Sequence, residues 1–184
     1  DPVYGSGWFH HWLGAAFEGL GRLAEAEQHY CQAEAAQAAL LSRSPQELEL
    51  ARGLAHIKSY RAGVLGKTGR PQQAEDLLRQ AIAIHEETLL KHPTRFGSQR
   101  RRGWDYFNLG CLLWPQHRLS EAEAAFRQAV QIFTNLTEVR GRNEALWGSA
   151  ESQLLLGQLL DAAGRSTEAA QLFHDAFGTM DILT

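Results

Sequence analysis

The chain has 184 residues, 44% of them apolar, with 18 Lys and Arg against 21 Asp and Glu, a formal charge of −3 and a pI of about 6.3. That length supports a core of its own, the slightly acidic balance excludes the basic footprint of a nucleic-acid binder, and no apolar run approaches the ~20 residues that cross a bilayer. Ala and Leu occur 26 times each against 9 Val and Ile together, which argues against a β-sandwich or a Val/Ile-rich sheet and leaves helix.

In chain order, helices are expected at about 5–19, 23–42, 46–66, 71–91, 97–114, 120–138, 143–162 and 166–182. Ser6, between two glycines, reads as a frayed start. Ser44-Pro45-Gln46-Glu47 reads as an N-cap Ser, a first-turn Pro and a capping-box Glu, and Ser120 with Glu123 as a second capping box. Pro71 opens another helix, and Pro45 and Pro93 fall 24 residues after Gly21 and Gly69, each closing a repeat.

Those elements repeat. Gly21-Arg22, Gly69-Arg70, His117-Arg118 and Gly164-Arg165 recur at spacings of 48, 48 and 47. Five residues after the first member of each pair stands Ala26, Ala74, Ala122 or Ala169, and twelve after it Ala33, Ala81, Ala129 or Ala176. Nine after, the residue is large: Tyr30, Leu78, Phe126, Phe173. Four before come Phe17, Leu65, Leu113 and Leu160, and seven before come Gly14, Ala62, Gly110 and Gly157. Small residues at minus seven, plus five and plus twelve let two antiparallel helices approach closely, and the large ones fill the space beside them. The Gly of each pair ends the first helix in the left-handed region.

Leu109-Gly110, Leu113, Ala122, Phe126, Ala129 and Leu156-Gly157, Leu160, Gly164, Ala169, Phe173, Ala176 resemble the tetratricopeptide repeat, and the resemblance covers nearly the whole chain. It implies an all-α, right-handed alpha-alpha superhelix, a solenoid of four helix pairs at about 5–42, 46–91, 94–138 and 142–184, forming a single domain over 1–184. The repeat is longer than the usual ~34 residues by about 14, close to four helical turns, so two are added to each helix and the buried faces keep their register. Longer repeats of this kind look like those appended to bacterial signalling proteins, including Ser/Thr kinases. The opening Asp1-Pro2 and the single Met180 read as a piece of a longer protein.

No catalytic constellation emerges. Gly66-Lys67-Thr68 resembles the tail of a phosphate-binding loop, but Arg61 stands where that loop needs Gly, and a helix C-terminus explains the same letters. His10 and His11 are neighbours on a helix and so diverge, and no second pair has metal spacing. Cys111 has no base in sequence and reads as a small buried residue. No catalytic, cofactor-binding or metal residue is assigned, and two cysteines, Cys31 and Cys111, suit a reducing, cytoplasmic compartment.

The resemblance places the first helix of each pair along a concave groove, with Trp8, His11, Glu18; His56, Ser59; Trp104, Phe107, Cys111, Trp114; and Glu151, Leu154, Gln158, Asp161 facing it. Arg52, Arg100 and Trp147 match one another one turn earlier. The expected partner site is Trp104, Phe107 and Trp114 with Arg100, Arg52, His56 and Gln158. It suits a protein or peptide, acidic around an apolar anchor, and neither nucleic acid nor membrane. Trp104 and Trp147 have two readings, groove or inter-repeat core. The Arg100-Arg101-Arg102 run is a solvated face, offset by carboxylates such as Glu47 and Glu49, or an anion-recognising patch. The resemblance thus implies a non-catalytic interaction or scaffold module, with a structural or oligomerising segment and a regulatory region of a larger signalling protein as the alternatives. Trp8, Phe9, Trp12 and Phe17 at one end, and Phe173, Phe177, Met180, Ile182 and Leu183 at the other, leave neither end capped. At least one terminal face is therefore expected to be covered, by further repeats of the parent chain or by a second copy, with the fragment alone self-associating through the N-terminal face.

Overall fold

The computed structural model describes residues 2–137 and 142–181, with the side chains of residues 2–4, 6 and 142 left out; Ile182 and Leu183 lie outside the described residues. Eight α-helices are seen there: α1 (Pro2–Gly19), α2 (Leu23–Arg43), α3 (Leu48–Lys67), α4 (Pro71–Lys91), α5 (Phe96–Leu113), α6 (Leu119–Thr137), α7 (Arg142–Ala162) and α8 (Ser166–Asp181). They pair consecutively, α1 with α2, α3 with α4, α5 with α6 and α7 with α8. Two compact units result, Asp1–Pro93 and Thr94–Thr184, each made of two pairs. No strand occurs among the described residues.

Each pair turns on the repeated Gly-Arg. Gly21, Gly69 and Gly164 sit at φ of 73°, 76° and 78°, the left-handed region where a side chain is strained, and His117 occupies the same region at 58°. The Arg that follows donates its N–H back to the first helix, Arg22 to Phe17 O at 2.9 Å, Arg70 to Leu65 O at 2.9 Å, Arg118 to Leu113 O at 3.3 Å and Arg165 to Leu160 O at 2.9 Å. This is a Schellman closure. The carbonyl of the same Arg then accepts from the plus-five Ala, at 3.0 to 3.1 Å in all four repeats, which starts the second helix.

Both capping boxes are corrected. α2 runs on to Arg43, so Ser44 is its C-cap, donating its N–H to Leu40 O at 3.1 Å, and α3 starts at Leu48 with Glu47 making no side-chain cap. Ser120 lies one residue inside α6, because the Schellman turn through Arg118 already supplies the helix start. Ser6 lies inside α1 rather than at a frayed end.

The register packs as its residue sizes require. All eight repeated Ala residues are buried, as are Tyr30, Leu78 and Phe126 at plus nine. A Cβ added at Gly14 would lie 2.7 Å from Tyr30 Cε1, one at Gly110 2.7 Å from Phe126 Cδ1, and one at Gly157 2.6 Å from Phe173 Cε1. Where plus nine is the smaller Leu78, minus seven is Ala62 instead of Gly. The pair of positions therefore holds a matched volume.

The extra turns build a second layer of the same kind. Minus fourteen is small throughout, at Gly7, Ala55, Gly103 and Ala150, and plus sixteen is Gln37, His85, Phe133 and Met180. In unit 2, Phe133 is clamped from both neighbouring helices: a Cβ at Gly103 on α5 would lie 2.8 Å from its Cζ, and one at Gly148 on α7 2.7 Å from its Cε1. In unit 1 the same slot holds Gln37, fully buried between Gly7 and Gly53, with its amide donating to Leu50 O at 3.0 Å.

Candidate partner-binding face

The first helices of each unit carry the predicted site residues. In unit 2, α5 presents Trp104 and Phe107 from one side of the helix, and the 3-10 turn Trp114–Gln116 that follows presents Trp114. The three rings are partly exposed. Each is held from behind by an edge contact to the core: Trp104 to Phe133 with centroids 5.0 Å apart, Phe107 to Phe126 at 6.0 Å and Trp114 to Phe126 at 6.3 Å, with Trp104 and Phe107 also edge to face at 5.5 Å. The Trp104 ring packs on the Ala129–Phe133–Leu136 cluster and stays partly exposed. Trp147 is 50% exposed on α7.

Arg100 forms an ion pair with Glu144 across α5 and α7, so the start of the arginine run is offset within unit 2. Further along α7, Glu151 stands one turn from Trp147. Burial pushes the Glu151 carboxyl above the ordinary value, with the Trp147 indole opposing in part. Cys111 on α5 lies near enough for Glu151 to act on its thiol, and burial first, Glu151 second, push that thiol up to about 11. A thiol so raised is protonated at neutral pH and a poor nucleophile. Gln158 is exposed on α7.

In unit 1 the corresponding face is more closed. Trp8 meets His11 at 5.5 Å and His56 at 6.2 Å, and His56 meets His11 and Tyr60 at 4.7 Å each, leaving His56 half-buried in an aromatic box. Arg52 pairs with Glu49 on its own helix. Glu18 accepts from Tyr30 Oη at 2.9 Å and from Lys67 Nζ at 2.7 Å, which makes Lys67 part of a helix-end ion pair. Gly66-Lys67-Thr68 is the C-terminus of α3, with Thr68 as its cap. His10 and His29 face each other with Nδ1 atoms 3.1 Å apart, and no cluster of three or more metal-ligating side chains forms among the described residues.

Two devices escaped the sequence reading. An inter-repeat ion pair joins Glu at plus six to the Gly-Arg arginine of the next repeat, Glu27 to Arg70 in unit 1 and Glu123 to Arg165 in unit 2 at 2.8 Å. Glu34 is gripped by Lys58 at 2.6 Å and Arg61 at 2.8 Å across α2 and α3. The spacing of Glu at plus six could have revealed the first. The second occurs at one junction and leaves no periodic trace.

One tetratricopeptide repeat model matches residues 54–94 and another matches 106–135. The crystal structure of BtubC (BKLC) from P. vanneervenii superposes on 96% of the chain with a TM-score of 0.76 at 20% identity. The chain spans 64% of the length of that protein. The nearly identical TPR-like repeats crystallised from Podosopora anserina superpose on 96% of the chain and 95% of their own, with a TM-score of 0.54 at 21% identity. No curated protein sequence matches. No helix among the described residues is long and apolar enough to cross a membrane. With its fourfold turn register, Gly-Arg three times and His-Arg once, and its consecutive helix pairs, the chain is a tetratricopeptide-like helical repeat protein whose repeat is lengthened to 47 or 48 residues.

Proposed function

We propose that the chain is a non-catalytic interaction or scaffold module of the cytoplasm, binding a peptide or partner domain on the first-helix face of its repeats. The observation that carries this reading is the set of part-exposed rings on α5 and its 3-10 extension, each braced by a core phenylalanine. Braced aromatics offer large contact area at little cost in ordering, which is how binding anchors work. Trp104, Phe107 and Trp114 are the anchors in unit 2, with Arg100 and Gln158 on the same unit; Arg52 and His56 stand on a first helix of unit 1, a face of its own. Acidic residues of a partner would compete with Glu144 for Arg100 and with Glu49 for Arg52, so apolar contacts supply most of the affinity. The raised thiol makes Cys111 a poor nucleophile at neutral pH. A regulatory region in a larger signalling protein would use the same face. The repeat register runs at unbroken 48-residue spacing from Gly69 to His117, which favours one repeat domain over 1–184.

A specific observation favours self-association as a second role. Tyr60 and Val64 of α3 pack on Tyr30 and Ala26 of the preceding pair, and their counterparts in α1, 48 residues earlier, are Trp12 and Ala16. Trp12 is 67% exposed and Phe9 is 59% exposed, whereas Trp8 and Phe17 are packed within unit 1. The α1 surface thus has the character of a repeat junction, a face that a second copy or a further repeat would cover.

The test of the binding role is selection of random dodecapeptides displayed on phage against the intact chain, followed by titration of the best binder against Trp104→Ala. We expect a loss of about 2 kcal/mol or more in affinity with the melting temperature barely changed. Unfolding of Trp104→Ala, or unchanged binding, assigns the ring to the core and removes the proposed face.

A further inference from the structure

Most carboxylates on the pair surfaces of unit 2 are balanced by arginine: Glu144 by Arg100, Glu121 by Arg118, Glu123 by Arg127 and Arg165, Glu168 by Arg165 and Arg127. Asp161 and Asp175 have only polar partners, Ser166 and Gln171, but both are exposed and keep their hydration. Glu151 is part-buried, makes no ion pair among the described residues, and stands one turn from Trp147 on the same helix. It stands between the half-exposed Trp147 on its own helix and Cys111 on α5, the helix that carries the Phe107 and Trp104 rings.

A carboxylate stripped of part of its water and left without a counter-charge is a cost to the free protein, and a cation delivered there recovers it. The neighbouring indole adds to the same preference, because its face is the negative pole of the ring quadrupole and attracts guanidinium and ammonium groups. An acidic group at this spot would meet both repulsion and desolvation. We infer that the α5–α7 face of unit 2 takes a cationic side chain of its partner, arginine foremost, with Glu151 as counter-ion and Trp147 as stacking surface. Arginine is preferred over lysine because a planar guanidinium can stack on the indole while donating to the carboxylate. This rests on the proposed binding role and adds the charge of the partner at one position: a basic residue flanking the apolar anchor, while any acidic residues face the Arg100 margin.

The experiment uses the peptides selected on the intact chain. The strongest binder is resynthesised with each Arg or Lys replaced by norleucine, and all forms are titrated against the parent chain, Glu151→Gln and Trp147→Phe, with thermal melts of each variant. The expected result is that selected peptides carry Arg or Lys near an apolar residue, that one such replacement weakens binding tenfold or more, and that Glu151→Gln produces a similar loss on the parent peptide but little further loss on the norleucine form. Trp147→Phe should weaken the basic peptide by a few fold, and the melting temperature of Glu151→Gln should stay level or rise. Selected peptides without basic residues, or full affinity retained in Glu151→Gln, overturn the inference while Trp104-dependent binding leaves the binding face standing. Recovery of no peptide whose binding depends on Trp104 overturns both.

Discussion

At the scale of the residue, the repeat is governed by volume matched across a helix pair. Gly110 leaves no room for a methyl group against Phe126, so Gly110→Ala should overpack the contact and destabilise by about 1 to 3 kcal/mol in urea unfolding. Adding Phe126→Leu reproduces the Ala62 and Leu78 combination of the second repeat. The double variant should therefore be more stable than additivity of the two single losses predicts. Simple additivity would mean that the two positions do not share one space. Ala122→Leu should cost about as much, since Ala122 is fully buried. His117 offers the opposite sign: it alone among the non-glycine described residues takes a positive φ, and His117→Gly should stabilise by up to about 1 kcal/mol.

At the scale of the element, junctions between pairs are fixed by charge as well as by packing. Burial pushes the Glu34 carboxyl up, but the hydrogen bonds from Lys58 and Arg61 outweigh it and hold the pKa below the ordinary 4.5. A depressed carboxylate contributes stability that is complete above its unfolded-state pKa and is lost as the pH falls through its folded one. Glu34→Gln should therefore cost about 2 kcal/mol at pH 7, where it leaves Lys58 and Arg61 facing each other with only the more distant Glu27 to offset them. It should also flatten the loss of stability between pH 4.5 and pH 3, read by urea unfolding at both ends. An unchanged acid slope would show that other carboxylates, such as Glu27 and Glu123, carry that dependence.

Much of this element scale was legible in the sequence. The Gly-Arg pairs, the Ala positions and the large residue at plus nine placed every turn and every helix to within a few residues, because they report backbone geometry and close packing, which are local and periodic. The capping box at Ser120 misled because the Schellman turn through Arg118 already starts α6, and the one at Ser44 because α2 runs on to Arg43 and makes Ser44 its C-cap. The layer at minus fourteen and plus sixteen was missed because plus sixteen mixes Gln37, His85, Phe133 and Met180, which share size but not polarity. Of the candidate site, the sequence singled out the α5 aromatics. It could not foresee that Glu144 would balance Arg100 or that Glu151 would lack a basic partner, since both depend on which side chains meet across two helices.

At the scale of the whole molecule, the exposed Trp12 and Phe9 on α1 predict association. Sedimentation of the intact chain should show a mass that rises with concentration, and Trp12→Glu should return it to monomer without loss of helicity by circular dichroism. A monomer at high concentration would show that the exposed Trp12 and Phe9 have no role in self-association. The binding role makes a separate demand on the molecule, because it assigns the first helices to the partner and leaves the second helices to pair and junction contacts. Hydrogen exchange of the intact chain, with and without the selected peptide, tests that division most directly. Added protection should concentrate in α5 and α7 around Trp104, Phe107 and Glu151 and leave α6 and α8 unchanged; protection centred on α6 or α8 would contradict the account.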